Sequence, residues 1–163
     1  MGPVLLIMRH GPAEAPGAGG DAVRVLSAAG RGQVRQAVDA LSALLPVPRR
    51  IYSSPLVRAR ETAELLAGSF GVEQIDATPL LAPGVNFISL ANELARTRGG
   101  LVAMVGHEPD LSGFISWQLG LGTRARVVIG KGSACLLELS QPGAAALRAL
   151  YPLESFGRLN QGE

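Results

Sequence analysis

Short continuous apolar runs alternate along the chain with longer segments in which apolar residues recur at helical spacing. Residues 3–11, PVLLIMRHG, and residues 101–107, LVAMVGH, each hold an unbroken aliphatic run that ends on polar residues. Such runs are typical of strands covered on both faces, and their polar ends then emerge at one edge of a parallel sheet. Residues 27–45 instead repeat apolar side chains every three or four positions, which predicts a helix capped by Ser27.

The rest of the chain continues this alternation. We expect further strands at 50–53, 72–77, 127–129 and 133–139, and further helices at 54–70, 87–98, 144–151 and directly after His107. In the helix at 54–70, Ser54 is the expected N-cap and Pro55 the first helical residue. Strands that alternate with helices predict an α/β fold: a single-domain three-layer α/β/α sandwich with a mostly parallel central sheet and no cap domain, spanning residues 1–163.

Composition narrows the classes of function. Of the 163 residues, 47% are hydrophobic and only 4% aromatic, which suits one globular domain and disfavours a base-stacking surface. The 15 cations are spread along the chain without a run of like charge, so we expect no nucleic-acid partner. No stretch approaches the length of a membrane span, and Cys135 has no cysteine to pair with. We therefore expect a cytoplasmic protein with no membrane partner.

Candidate chemistry lies where the apolar strands end. The chain has two histidines, and His10 and His107 each follow such a strand, so both are expected at the same edge of the sheet. Arg9 precedes the first, and Arg58 lies in the first turns of the predicted helix at 54–70, where its side chain would lean toward the same edge. Two guanidinium groups and two imidazoles indicate a site for a phosphate or sulfate ion.

A metal site is the rival interpretation of these residues. His10 and His107 could combine with Glu108 or Asp110 as ligands. Two neighbouring guanidinium cations disfavour a metal ion, however, and they also favour the neutral, nucleophilic form of His10. We therefore expect no metal.

These motifs resemble those of the histidine phosphatase superfamily, also called phosphoglycerate-mutase-like. They stand here as Arg9-His10-Gly11, as the stretch SSPLVRARETA containing Arg58, and as GHEPDL containing His107. The residues before the first predicted helix are similar to the short phosphohistidine phosphatase branch at Asp21, Arg24, Leu26, Ser27 and Gly30. The resemblance covers nearly the whole chain, with the motifs in the family's order.

The resemblance implies a two-step phosphoryl transfer without a metal or organic cofactor. His10 would attack phosphorus and become a phosphohistidine that water hydrolyses. Arg9, Arg58 and His107 would bind the phosphoryl oxygens and stabilise their charge, and Gly11 would let the backbone turn beside the nucleophile.

The resemblance also bears on the substrate. Mutases and many acid phosphatases of the superfamily carry an acid that protonates the leaving oxygen, and residues 80–94, LLAPGVNFISLANEL, lack an obvious equivalent. A phosphoramidate needs such an acid less than an ester does, so we expect phosphohistidine on a protein, such as a phosphotransfer domain or a phosphocarrier. A broad-specificity phosphomonoesterase for small metabolites and a noncatalytic phosphate-binding module remain alternatives.

Three further residues have two interpretations each. Glu108 could be the proton donor, or it could be a carboxylate favoured near a helix amino terminus. Asp21 and Arg24 could face the site, or they could pair with each other and shape the loop after the first strand, which we favour.

Overall fold

The computed structural model describes residues 2–122, 125–141 and 143–157. Its centre is a six-stranded sheet in the order β3-β2-β4-β1-β5-β6. The strands are β1 (Val4–Arg9), β2 (Arg50–Ser53), β3 (Asp76–Ala77), β4 (Leu101–Gly106), β5 (Ala134–Gln141) and β6 (Ala144–Tyr151). The four strands from β3 to β1 are parallel, whereas β5 runs antiparallel to both of its neighbours. The predicted α/β fold with a mostly parallel sheet is confirmed.

In the described part of the chain, five α-helices cover the sheet: α1 (Ala28–Leu44), α2 (Val57–Phe70), α3 (Phe87–Ala95), α4 (Asp110–Gln118) and α5 (Leu153–Phe156). Two short 3-10 helices lie at Asp21–Val23 and Pro79–Leu81. Ser27 caps α1 as the sequence predicts, because its Oγ accepts the backbone N–H of Gly30. None of the helices in these ranges is long and apolar enough to cross a membrane.

Alternating side chains of β1 divide the core into two layers. Leu6 and Met8 pack with apolar residues of α1, α2 and α5 on one face of the sheet. Leu5 and Ile7 pack with apolar residues of α3 and α4 on the other face. All four side chains are fully buried. Successive side chains of β1 point to opposite faces of the sheet, and both faces are buried. This explains the unbroken aliphatic run in the sequence.

The register of the sheet sets the place of the functional residues. Arg9 at the end of β1 lies opposite Gly106 at the end of β4, and Ser53 at the end of β2 lies opposite Val105. The residues that follow these three strands therefore meet at one edge.

Two predicted elements in the carboxyl-terminal half are wrong, and one strand before the midpoint of the chain is shorter than predicted. Residues 144–151, predicted as a helix, form β6 because they pair along their length with β5. Residues 127–129, predicted as a strand, carry no regular structure. The strand predicted at 72–77 shortens to Asp76–Ala77. Pairing with a neighbouring strand outweighed local propensity at β6.

The amino terminus of α2 also differs from the prediction. The helix begins at Val57 with Leu56 as its N-cap, so Ser54 is not the N-cap residue. Ser54 Oγ instead accepts the backbone N–H of Leu56, which closes a tight turn between β2 and the helix. Arg58 is consequently the second residue of α2.

Candidate active site

His10 follows β1 directly and is 6% exposed. Its Nδ1 lies 2.7 Å from the carbonyl oxygen of Gly11, and a carbonyl can only accept a hydrogen bond. Nδ1 therefore carries the proton of the neutral ring, and the lone pair lies on Nε2. The backbone N–H of His10 donates to Gly106 of β4, which fixes the residue against the neighbouring strand.

Arg58 of α2 reaches the free nitrogen of this imidazole. Its Nε–H donates to Nε2 of His10 at 3.3 Å, and its two terminal nitrogens donate to the backbone oxygen and Oδ2 of Asp21 at 2.8 and 3.0 Å. The residue is 5% exposed. Arg58 thus joins the nucleophile candidate to the loop after β1.

Arg9 lies at the end of β1, beside His10. One terminal nitrogen donates to the carbonyl oxygen of Ile129 at 3.3 Å, whereas the buried Nε has no hydrogen-bond partner in the described part of the chain. Burial lowers the pKa of this guanidinium, and the charge of Glu108 opposes the change. A buried donor without a partner is costly, and an oxyanion would supply the acceptor.

His107 follows β4 and packs against His10, with ring centroids 5.1 Å apart. Its Nε2 lies 2.7 Å from Ser54 Oγ, which already accepts the N–H of Leu56. We infer that the hydroxyl of Ser54 donates a hydrogen bond to Nε2, because its oxygen already accepts from Leu56 and its hydrogen then has an acceptor as well. Nδ1 of His107 then carries the proton and has no partner among the described residues.

Both imidazoles are neutral near pH 7. Burial, followed by the charges of Arg58, Arg9 and Lys131, lowers the pKa of His10 to about 4, although the hydrogen bond to Gly11 opposes this. Burial, His10 and Arg58 lower the pKa of His107 to about 3. The sequence indicated the effect of the arginines but missed the larger effect of burial.

Thr62 of α2 connects the backbone at Gly11, next to His10, to Arg58. Its Oγ1 accepts the backbone N–H of Gly11 at 3.0 Å and donates to the carbonyl oxygen of Arg58 at 2.8 Å. Gly11 is needed here for space, because a Cβ at this position would lie 2.3 Å from Cγ2 of Val34. Sequence reasoning missed Thr62 and Ser54, since an isolated hydroxyl residue carries no local signal for a contact across 50 residues.

The loop after β1 is held by an ionic chain. Arg24 pairs with Asp21 Oδ1 at 2.8 Å and donates from Nε to the carbonyl oxygen of Glu14. Asp21 also bonds Arg58 through Oδ2, so the two interpretations of this residue coexist: it shapes the loop and it contacts the site. Hydrogen bonds from Arg24 and Arg58 keep the pKa of Asp21 below its usual value.

Glu108 is half-buried beside His107. Its Oε1 accepts hydrogen bonds from Ser112 Oγ at 2.6 Å and from the backbone N–H of Ile129 at 3.2 Å. Because the carbonyl of Ile129 accepts Arg9, Glu108 supports the loop that holds this arginine. Asp110 turns away to the backbone N–H of Gly84.

The structure therefore brings Arg9, His10, Arg58 and His107 together at the carboxyl edge of the sheet. No group of three or more His, Cys, Asp or Glu side chains positioned to hold a metal ion occurs in the described ranges. The four side chains place a nucleophilic imidazole nitrogen next to hydrogen-bond donors of two guanidinium groups and a second imidazole. This arrangement suits a phosphoryl group.

A family model matches the amino-terminal part of the chain. Residues 5–82 match the family model of the histidine phosphatase superfamily (branch 1). This match confirms the resemblance that the motifs indicated. A search among curated protein sequences gave no match.

Two solved structures illustrate the shared fold. The protein histidine phosphatase SixA complexed with tungstate superposes with a TM-score of 0.79 at 20% identity, covering 93% of this chain and 98% of that chain. The mycobacterial glucosyl-3-phosphoglycerate phosphatase in complex with VO3 gives a TM-score of 0.67 at 18% identity, covering 92% and 99%. At such identities the likeness concerns the fold.

Proposed function

We propose that the chain is a phosphatase that transfers a phosphoryl group first to His10 and then to water, and that its substrate is a phosphohistidine on a protein. The observation that carries the proposal is the state of His10. Its Nδ1–H is bonded to the Gly11 carbonyl, its Nε2 keeps the lone pair, and Arg58 lies next to that nitrogen.

The proposed first step exchanges two bonds at phosphorus. Nε2 of His10 forms a bond to phosphorus while the bond from phosphorus to the substrate nitrogen breaks, and the leaving imidazole takes up a proton. Arg58 and the unpartnered donors of Arg9 and His107 bind the equatorial oxygens, whose charge they stabilise. In the second step water attacks phosphorus, the bond to Nε2 breaks, and inorganic phosphate leaves.

The hydrogen bonds of Glu108 support a phosphoramidate substrate. We assign Glu108 a structural role, because its Oε1 accepts the two hydrogen bonds that hold Ser112 and the backbone at Ile129. A general acid contributes about 10²- to 10⁴-fold to reactions with poor leaving groups, so its absence penalises alkyl esters most. The imidazole of a phosphohistidine leaves readily once solvent protonates it.

A phosphomonoesterase acting on small metabolites is the second candidate. The fold likeness to the mycobacterial glucosyl-3-phosphoglycerate phosphatase supports it, since that protein is named for a small phosphorylated substrate. A noncatalytic phosphate-binding module is the third candidate, and it predicts binding without turnover.

Turnover on matched substrates separates the three. We expect kcat/KM on phosphoramidate and on a phosphohistidine protein to exceed that on an aryl phosphate, and His10→Ala to abolish all of these activities. Preference for the aryl phosphate would favour the esterase. Absence of turnover in the native chain would favour the binding module.

A further inference from the structure

A cavity lies at the end of the sheet opposite to His10. It has a volume of about 450 Å³ and is formed where β2 and β4 begin and α3 ends. Its lining residues are Arg49, Arg50, Tyr52, Glu93, Arg96, Thr97, Arg98, Gly99 and Val102. We call it the arginine cavity. The five residue steps from Val102 to His107 separate it from the candidate active site by roughly 16 Å.

Four of its side chains are guanidinium groups, and their charges are only partly balanced. Glu93 lies 3.5 Å from Arg96, and Asp76 lies 3.6 Å from Arg50. Neither Arg49 nor Arg98 has a carboxylate within 4.0 Å in residues 2–122, 125–141 and 143–157. Like charges gathered around one cavity repel each other, and an anion bound between them removes that repulsion.

The backbone fixes part of this arrangement. One terminal nitrogen of Arg49 donates to the carbonyl oxygens of Arg98 and Gly99. Gly100 has a φ of +73°, and a Cβ at this position would lie 2.5 Å from Cδ of Arg49. The absence of a Cβ at Gly100 thus lets Arg49 pack closely over the turn before β4.

Tyr52 anchors a further arginine. It is 7% exposed, and its hydroxyl accepts a hydrogen bond from Arg50 at 3.4 Å. The cavity therefore combines four exposed arginine side chains, of which Arg49 donates to backbone carbonyl oxygens and Arg50 donates to the Tyr52 hydroxyl.

We propose that the arginine cavity binds a small polyanion that carries two or more phosphate groups, of about the size of a nucleoside diphosphate. Guanidinium groups bind phosphate oxygens through two parallel hydrogen bonds, which makes arginine the usual residue for this recognition. The volume falls in the range of ligand pockets, which is about 300–1,000 Å³. Because the cavity is remote from His10, the proposal does not depend on the proposed reaction.

Titration of ¹⁵N-labelled native protein with ADP locates the site directly. We expect saturable shifts of the Gly99 and Gly100 amides, separate from any change at Gly11 and Gly132 beside His10. Shifts confined to Gly11 and Gly132, or shifts at Gly99 and Gly100 that do not saturate, would overturn the proposal.

Paired variants then separate a specific site from general charge attraction. Arg96→Ala with Arg98→Ala is expected to weaken ADP binding at Gly99 and Gly100 by at least about tenfold, because two phosphate ligands are lost. The control removes the same charge from exposed helical positions, Arg35→Ala with Arg60→Ala, and is expected to leave the affinity unchanged. Equal loss in both double variants would contradict a built site.

Discussion

Arg58 donates a hydrogen bond from Nε to Nε2 of His10 across 3.3 Å, so the lone pair proposed to attack phosphorus is engaged before a substrate arrives. A lone pair held in this way is not free to form a bond. Substrate binding must therefore transfer the donor from nitrogen to a phosphoryl oxygen. Arg58 would first orient the nucleophile and then stabilise the charge that develops on phosphorus.

This dual role requires a planar guanidinium and not merely a positive charge. Replacing Arg58 with lysine keeps the charge but cannot bond His10 and Asp21 together, so we expect kcat/KM to fall by about 10²- to 10³-fold. The matched control is Arg60→Lys, an exposed position on the same helix. Steady-state kinetics on phosphoramidate measure both. Activity of Arg58→Lys within a few-fold of the native value would rule out the geometric role.

Thr62 is expected to position the backbone at Gly11, directly after His10. Thr62→Val preserves shape but removes the acceptor for Gly11 N–H and the donor to the Arg58 carbonyl. Because Thr62 is buried, the free energy of unfolding should fall by about 1–3 kcal/mol, and kcat should fall while KM changes little. Thr62→Ser restores the hydroxyl and should rescue kcat. Failure of this rescue would mean that the methyl group, not the hydrogen bonds, matters.

The pH dependence follows from the lowered pKa of His10. Only the neutral imidazole is nucleophilic, so this ionisation gives kcat/KM an ascending limb near pH 4 instead of near the ordinary value of 6.5. Lys131 is one cause of the low pKa, and Lys131→Met should therefore move the limb to higher pH. Arg148→Met, which removes a charge paired with Glu138, is the control and should leave the limb in place. A limb that moves equally in both variants, or moves down in Lys131→Met, would refute the electrostatic account.

Glu108 gives a test between structural support and proton donation. Glutamine retains an acceptor oxygen for Ser112 and Ile129 but cannot donate a proton as an acid does. We expect Glu108→Gln to change turnover of phosphoramidate and of an alkyl phosphate by similar, small factors. If ester turnover alone falls by about 10²-fold or more, Glu108 is the general acid.

Several features of the fold could be predicted because they rest on local patterns. The aliphatic runs that became β1 and β4 and the cap of α1 at Ser27 depend on short stretches of sequence. The placement of two histidines after such strands followed from the rule that parallel strands end at a common edge.

Features that depend on tertiary contacts could not be predicted. Residues 144–151 have the composition of a helix, and only the pairing with β5 makes them a strand. Ser54 was predicted as a helix cap, yet its hydroxyl forms a hydrogen bond with His107, which lies 53 residues away in the sequence. The carboxylate of Glu61 accepts hydrogen bonds from the backbone N–H of Leu26 and from the side chain of Arg31, contacts that no local pattern indicates. In each case a distant partner determines the role.

The hydrogen bonding of His10 also indicates which of its nitrogens reacts, a question that the sequence leaves open. The Gly11 carbonyl holds the proton of His10 on Nδ1, so the phosphoryl group is expected on Nε2.

The most direct test is to quench the native chain during turnover of phosphoramidate and locate the phosphoryl group by mass spectrometry and ³¹P NMR. Our account predicts an acid-labile phosphoenzyme on Nε2 of His10 that is absent in His10→Ala. Turnover with no phosphoenzyme in the native chain, or with a phosphoryl group on another residue, would contradict it.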